Sequence, residues 1–288
     1  MELRHKANRQ GRLSSFLRGE MNMSYGLMNK LKWGDAIQVN GVPQHTDFAV
    51  AAGDVITVRL DEPEPEYPAE DGHLTVLYED DHILIVDKPA GMLIHPSRSC
   101  NNGTLANLVV GHYQKSGQKS AFHPVTRLDR DTFGVVLLAK NAHVHSLLQA
   151  ADIKKTYYAL VFGRPEWDSG IIDAPIARRP LPSLLRYIGP EGKTSVTEYR
   201  VLKRYSEYTK LELQPVTGRT HQLRLHCAYM GWPILGDPQY GTVDSQTFSS
   251  YFFMQSQALC AGKLEFIHPI TGQFLQVESA MDVDDMVR

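Results

Sequence analysis

Short apolar runs separated by turn residues dominate the larger, C-terminal part of the chain and predict a sheet of many strands. We predict strands at residues 75–78, 82–86, 135–139, 156–162, 195–202, 209–213 and 264–267. Helical periodicity covers residues 105–113, residues 142–150 behind the capping residue Asn141, and a segment from Thr220 to a stop at Gly231. Because strands and helices do not alternate regularly, the pattern predicts an α+β fold with a mixed, mainly antiparallel sheet and flanking helices.

The chain is predicted to divide into two domains joined by a linker. Residues 1–60 contain two short helical stretches, the second capped by Ser24, and two strands, the first of which breaks at an Asn40-Gly41 turn. Residues 61–72 are rich in proline and acidic side chains, which is typical of a linker. Residues 73–288 then form the second and larger domain.

The net charge of −2 hides an uneven distribution. Residues 1–32 contain seven Lys and Arg against two acidic residues, whereas residues 61–71 contain six acids and no base. A local basic surface suits RNA, although basic side chains near a terminus are equally typical of simple solvation. The two helices and small sheet of residues 1–60 resemble the αL RNA-binding domain of a ribosomal small-subunit protein and some tRNA synthetases, which implies RNA contacts by Lys30 and Lys32.

Composition excludes several classes of protein. Apolar residues make up 42% of the 288 residues and charged residues 22%, as in globular proteins. The sequence has no apolar run near the ~20 residues of a membrane span, and no apolar stretch follows the basic N-terminus, so neither a membrane partner nor a secretory signal is expected. Cys100, Cys227 and Cys260 fit neither a disulfide framework nor a zinc finger, and a reducing cytoplasm is the expected location.

The segment from residue 123 to residue 140 carries the strongest candidate chemistry. An Arg-Leu-Asp triplet, Arg127 to Asp129, lies in a polar loop directly before an apolar run long enough for one buried strand. A carboxylate in such a loop is supported by a rigid element yet lies where the chain leaves the core, a common place for catalytic groups. Taken alone, Asp129 and Asp131 are equally compatible with ordinary turn carboxylates.

Three further segments deserve comparison with that loop. Residues 87–96 form a Pro/Gly turn after a strand, which a purely structural role explains equally well. On the strand at 154–160, Tyr157 and Tyr158 face opposite sides, and a tyrosine there is more often part of the core. At residues 215–226 a glycine-containing loop with Arg219 meets a helix start, a favourable place for phosphate, and Arg224 in the first turns is placed to pair with a buried carboxylate.

Together these segments resemble the RluA-type pseudouridine synthases over about residues 73–275. Residues 127–129 match the family's Arg-Leu-Asp loop, and residues 88–96 match its Lys-Pro-x-Gly-x-x-x-His-Pro element. Residues 155–157 match its Lys-x-Tyr strand. Residues 217–224 match its Thr-Gly-Arg-Thr-His-Gln-x-Arg helix start, and residues 231–241 match the Gly-x-Pro-Ile-x-Gly-Asp-x-x-Tyr-Gly tail. Two departures touch the loop around Asp129: Thr126 stands where His is usual, and Phe133 where Ser is usual.

The resemblance implies that uridine in RNA is converted to pseudouridine without a cofactor or a metal. Asp129 is then the catalytic nucleophile or base, Arg224 its cationic partner, and Tyr157 the ring under the uracil. Base flipping costs about a few kcal/mol, which stacking worth ~1–3 kcal/mol would largely offset. The αL-like domain favours ribosomal RNA over transfer RNA, and a monomer is expected.

The same resemblance implies roles for three residues around the reacting base. Arg127 is placed to hold a phosphate or to fill the gap left by the flipped base. Arg219 and His221 are weaker candidates for contacts with the RNA backbone.

Three alternatives remain at this point. The two departures allow an RNA-binding module that has lost catalysis. A glycoside hydrolase using Asp129 and Asp131 is disfavoured, because neighbouring arginines lower the pKa that a general acid must keep high. A metal site at His221 and His226 is disfavoured because residues five apart on a helix point in different directions.

Overall fold

The computed structural model describes residues 2–60, 66–97, 100–180, 183 and 185–287. The elements of the first unit are β1 (Glu2–Lys6), β2 (Gly11–Arg12), α1 (Leu13–Gly19), α2 (Tyr25–Leu31), β3 (Ile37–Val39), β4 (Val42–Pro43), β5 (Ala49–Val50) and β6 (Val55–Arg59). Four strands form a sheet in the order β1-β6-β3-β4, and both helices pack their apolar side chains into a separate core that includes Phe16, Leu17 and Ile56.

Local capping and turn chemistry explain two of these elements. Ser24 accepts a hydrogen bond from the Leu27 amide at 3.2 Å and thereby starts α2, as predicted. Asn40 and Gly41 both have a positive φ, 52° and 80°, which produces the tight turn between β3 and β4. The Asn-Gly hairpin prediction is therefore confirmed.

The second unit contains the larger sheet and most of the helices. Its elements are β7 (Thr75–Glu79), β8 (Ile83–Lys88), α3 (Leu105–Lys115), β9 (His123–Pro124), β10 (Phe133–Ala139), α4 (Ala142–Ala150), β11 (Lys154–Phe162), β12 (Ser169–Asp173), β13 (Ile176–Arg178), β14 (Arg186–Ile188), β15 (Val196–Arg204), β16 (Tyr208–Pro215), α5 (Gln222–Tyr229), α6 (Val243–Ser250), β17 (Leu259–Ile267), β18 (Phe274–Glu278) and a 3₁₀ helix at Val283–Val287.

The large sheet runs in the order β12-β15-β16-β11-β17-β10-β8-β7, with β18 beside β17 and β9 beside β10. The pairing of β10 with β17 is parallel, and the other pairings along the sheet are antiparallel, so the mixed, mainly antiparallel sheet is confirmed for the described part of the chain. Alternate residues of β8 and β10 pack against α4 on one face and α3 on the other. Both faces of the central strands β8 and β10 are therefore buried, and the loop that precedes β10 connects to this rigid part of the sheet.

Residues 61–65 of the predicted linker lie outside the described residues. Its later part contacts α3: the Asn107 amide group donates to the Pro68 carbonyl at 2.9 Å, and the Glu70 amide donates to the Asn107 carbonyl at 3.1 Å. No helix among the described residues has both the length and the apolar character needed to cross a bilayer.

Some elements differ from the sequence predictions. Strands β1, β12, β13, β14 and β18 and helix α6 were not predicted, since their charged or mixed composition gives weak periodicity. Helix α5 begins at Gln222 instead of Thr220, because His221 adopts a left-handed conformation with φ 58° and ends the preceding loop.

Candidate active site

Asp129 lies in the loop between β9 and β10, and several contacts hold this loop. The Thr132 amide donates to the Asp129 carbonyl at 3.2 Å, and the buried Gln257 side chain donates to the Thr132 hydroxyl at 3.0 Å. At Gly134 the φ of +111° and the approach of β17 leave no room for a side chain, since a Cβ would lie 2.4 Å from the Ala261 carbonyl oxygen. These contacts at Thr132 and Gly134 hold the part of the loop that follows Asp129.

The buried side chain of Lys88 also holds the loop that carries Asp129. Its ammonium group, fully buried at the end of β8, donates to the carbonyl oxygens of Pro89, Met92 and Arg130, each at 2.9 Å. Burial lowers the pKa of Lys88 to about 8, against the attraction of the Asp131 and Asp129 carboxylates. One buried cation thus joins the Pro/Gly turn to the loop that carries Asp129.

Arg224, in the first turn of α5, connects Asp129 to a buried polar cluster. Its Nη1 donates to Asp129 Oδ2 at 3.0 Å, which confirms the predicted pairing. Its Nε and Nη2 also form a bidentate pair with Asp237 at 2.7 and 2.8 Å, and Nη2 reaches Gln239 Oε1 at 2.9 Å. The guanidinium lies 5.2 Å from the centre of the Tyr240 ring. Despite burial, the carboxylates keep the pKa of Arg224 above its ordinary value.

His221 lies beside this cluster. The Tyr240 hydroxyl accepts from the Arg186 amide at 3.1 Å and forms a hydrogen bond with His221 Nδ1 at 2.9 Å. His221 Nε2 lies 3.9 Å from Asp129 Oδ2, which is too far for a hydrogen bond. Burial lowers the pKa of His221 against the attraction of the Asp129 carboxylate, so the ring is neutral near pH 7.

Tyr157 lies on β11 directly after an irregularity in its pairing with β17. Its side chain is half-buried, and its hydroxyl forms no hydrogen bond with any described residue. Burial and the nearby Asp129 carboxylate both raise the pKa of Tyr157, which keeps the phenol protonated. The ring therefore stands near Asp129 as a neutral aromatic surface.

The structure does not bring every predicted residue into this cluster. Arg127 is exposed and forms no ion pair within the described residues. Arg219 is also exposed, and its Nε donates to the Thr194 carbonyl at 3.1 Å. Lys30 and Lys32 lie at the end of α2 in the other unit, with Lys32 Nζ 5.2 Å from the centre of the exposed Trp33 ring.

The contacts of Asp131 and His226 argue against two alternatives. Asp131 forms a bidentate pair with Arg130 at 2.9 and 3.0 Å, an arrangement unsuited to a general acid. His226 uses Nδ1 on the Thr197 hydroxyl at 2.9 Å and Nε2 on the Ala174 carbonyl at 3.0 Å, so neither nitrogen is available to a metal. Among the described residues no group of His, Cys, Asp and Glu is arranged to hold a metal ion.

The two departures from the family motif fit the loop without disturbing it. The buried Thr126 hydroxyl accepts from the Leu137 amide at 2.9 Å, which ties the loop to β10. Phe133 is part of the apolar core and pairs with Cys260 of β17. Both residues therefore support the position of Asp129.

Sequence reasoning missed the residues that hold Arg224. Asp237, Gln239 and Tyr240 belong to the Gly-Asp-x-x-Tyr-Gly tail, and the buried Lys88 to the Lys-Pro element, so both motifs contained the signal. The sequence analysis matched these polar residues to the family motifs but did not assign contacts to them.

Comparisons with known proteins agree with this arrangement. A family model described as RNA pseudouridylate synthase matches residues 82–229. The uncharacterized RNA pseudouridine synthase YjbO of Bacillus subtilis is 36% identical over 92% of this chain and 94% of its own length. Ribosomal large subunit pseudouridine synthase D of Nitrosomonas europaea is 39% identical over 78% of this chain and 67% of its own. Human RNA Pseudouridylate Synthase Domain Containing 1 has a structure that matches with a TM-score of 0.59 at 26% identity, covering 74% of this chain and 86% of that one.

The matched segment contains Asp129, Tyr157 and Arg224, which the fold brings together from the loop before β10, from β11 and from α5. The relatives also cover most of this chain, including much of the first unit. The chain therefore belongs to the RluA-type RNA pseudouridine synthases, enzymes that isomerise uridine in RNA.

Proposed function

We propose that this enzyme isomerises specific uridines of large-subunit ribosomal RNA, with Asp129 acting on a flipped uridine. The ribosomal substrate is supported by the relative from Nitrosomonas europaea and by ribosomal large subunit pseudouridine synthase C of Vibrio cholerae, which is 31% identical over 94% of this chain. Transfer RNA is the competing substrate, and tritium release from the two kinds of transcript distinguishes them.

The observation that carries the role of Asp129 is its contact with Arg224. The carboxylate is held at 3.0 Å from a fixed guanidinium, yet 28% of its side chain is exposed. During isomerisation the bond from N1 of uracil to the sugar breaks, the ring rotates, C5 bonds to the same sugar carbon and loses its proton, and N1 takes up a proton. A positioned carboxylate serves this sequence either by adding to the anomeric carbon or by removing a sugar proton.

Tyr157 is proposed to stack on the uracil after it leaves the helix. Unstacking a base costs about a few kcal/mol, and an aromatic contact returns about 1–3 kcal/mol. A neutral phenol near the Asp129 carboxylate offers this surface without adding a second negative charge.

Residues 1–60 are proposed to bind RNA outside the active site, with Lys30 and Lys32 contacting phosphate, and residues 61–72 to connect them to the catalytic domain at 73–288. The exposed Arg127 is proposed to contact the RNA beside the flipped base, and His221 and Arg219 to contact its backbone. Arg127 lacks an ion pair within the described residues, so its charge is free for a phosphate.

Tritium release from RNA labelled at uridine C5 tests the proposal. We expect release from unmodified large-subunit ribosomal transcripts by the wild type, little from transfer RNA transcripts, and none by Asp129→Asn, which should still bind RNA. Wild-type turnover by Asp129→Asn would remove Asp129 from its role. Release from transfer RNA alone would replace the proposed substrate.

Three further expectations belong to the proposal. The isomerisation exchanges bonds without net oxidation, so turnover should be unchanged in EDTA and without added cofactor. The enzyme is expected to act as a monomer in the cytoplasm. Light scattering of the purified chain and fractionation of the host cell are the corresponding measurements.

A further inference from the structure

A groove on the first unit lies between α1 and α2. It has a volume of 720 Å³ and is lined by Arg9, Arg12, Ser14, Ser15, Arg18 and Tyr25, among others. The groove shares no residue with the cluster around Asp129.

The groove carries an excess of positive charge. Arg12 and Arg18 are exposed, and no carboxylate among the described residues lies within 4.0 Å of either one. Arg9 has one carboxylate partner, Glu20, at 3.2 Å, and His5 shares it. At least two guanidinium groups are therefore available to an anion such as phosphate.

Tyr25 adds an exposed aromatic ring to this charge. It begins α2 with 61% of its surface exposed, and the Arg18 guanidinium lies 5.8 Å from its ring centre. An exposed aromatic beside arginines is the combination on which unpaired bases stack while their phosphates are neutralised. A base inside an A-form helix presents no free face to such a ring, so a paired segment would use only the charges.

We propose that this groove binds an unpaired nucleotide of the RNA substrate, with its base stacked on Tyr25 and the neighbouring phosphates on Arg12 and Arg18. The proposal rests on RNA being the substrate, and it adds that the RNA carries a single-stranded or bulged nucleotide beside the target region. The unit at residues 1–60 then recognises the flexible part of the RNA while the other domain acts on the uridine.

Binding measurements on the full chain test the stacking contact. Fluorescence anisotropy with a labelled single-stranded 12-nucleotide RNA and with a 12-base-pair duplex should show that Tyr25→Ala weakens single-strand binding by about 5- to 150-fold, the loss of one stacked base. Tyr25→Phe should bind nearly as wild type, and duplex binding by Tyr25→Ala should be unchanged. Tyr229→Ala, at a site with 60% exposure, is the matched control.

The phosphate contacts have a separate signature. In the double variant Arg12→Gln/Arg18→Gln, the slope of log affinity against log salt for the single strand should fall by about 1.4, or about 0.7 for each phosphate. Tyr25→Ala should leave that slope unchanged. Circular dichroism melting of each variant checks that the first unit remains folded.

Several results would overturn the proposal. Single-strand binding by Tyr25→Ala equal to that of Tyr229→Ala would remove the stacking contact, as would equal losses for single strand and duplex. Binding of polyglutamate with the same affinity would show a general anion site. Tritium release reports on the proposed function independently: Asp129→Asn should lose turnover with the groove's affinity intact, whereas Tyr25→Ala should raise KM with kcat within about twofold, since stacking distant from the reacting base contributes to binding alone.

Discussion

Replacement of Arg224 by methionine should destabilise the protein strongly as well as stop turnover. Arg224 donates four hydrogen bonds, to Asp237 twice and to Gln239 and Asp129 once each. Its side chain is 5% exposed and that of Asp237 is fully buried, so Arg224→Met leaves a carboxylate without its cation in the protein interior. Breaking such a buried pair costs about 3–5 kcal/mol. We expect a loss of this size in the free energy of unfolding.

The double variant Arg224→Met/Asp237→Asn separates stability from catalysis. Once Asp237 is neutral, no buried charge remains unpaired, so part of the lost unfolding free energy should return. Turnover should stay lost, because Asp129 still lacks the guanidinium that holds it at 3.0 Å.

Urea denaturation followed by tryptophan fluorescence measures these free energies, and tritium release measures turnover. Arg200→Met is the control, since Arg200 pairs with Glu212 at 2.9 Å on the surface with 60% of its side chain exposed, and such pairs contribute only about 0–1 kcal/mol. A loss of stability in Arg224→Met no larger than that in Arg200→Met would show that Asp237 does not depend on its buried cation. The same conclusion would follow if the loss of unfolding free energy in Arg224→Met/Asp237→Asn equalled the sum of the losses in Arg224→Met and Asp237→Asn.

Three further predictions concern single residues around the site. Tyr157→Ala should lower kcat/KM in single-turnover experiments by about 5- to 150-fold and Tyr157→Phe much less, and equal rates would exclude stacking. Burial lowers the pKa of Lys88 to about 8, so between that value and the ordinary pKa of about 10.4 the unfolded chain binds more protons. The stability of the wild type relative to Lys88→Met should therefore rise with pH across this window, by about 3 kcal/mol, and stay level below it; urea titrations from pH 7 to pH 11 would contradict this if the difference were constant. Gly134→Ala should destabilise more than Gly163→Ala, because both positions have a positive φ but only a Cβ at Gly134 meets another backbone, Ala261; equal melting temperatures would exclude the clash.

The parts of the fold that the sequence predicted are those governed by local chemistry. The cap at Ser24 and the turn at Asn40 depend on residues within four positions of each other, so their types are sufficient evidence. Strand β1, Glu2–Lys6, was missed because Leu3 is its only apolar residue, and because the strand gains its structure by pairing with β6, which is distant in the sequence. The formation of β1 depends on this distant partner strand, which no local sequence pattern reveals.

The candidate site shows the same limit at the level of side chains. Asp129 and Arg224 were paired through the family resemblance, and their separation of 95 residues would have hidden the contact from any argument on spacing. Asp237 escaped attention because one carboxylate was assigned to one arginine, whereas a guanidinium has five donors and can hold two carboxylates. A buried arginine has more donors than one carboxylate can satisfy, so the sequence argument should have included a second acceptor for Arg224.

The sharing of Arg224 between two carboxylates has a consequence for catalysis. Asp237 holds the guanidinium by two hydrogen bonds in the interior, while Asp129 receives one from Nη1. The guanidinium is therefore oriented by Asp237, and it is shared between two carboxylates, so in the role proposed for Asp129 this carboxylate is only partly neutralised. With His221 neutral, no second full cation lies within ion-pair distance of Asp129 among the described residues. A carboxylate that is fixed in position but only partly neutralised is what either a nucleophilic or a proton-abstracting role requires.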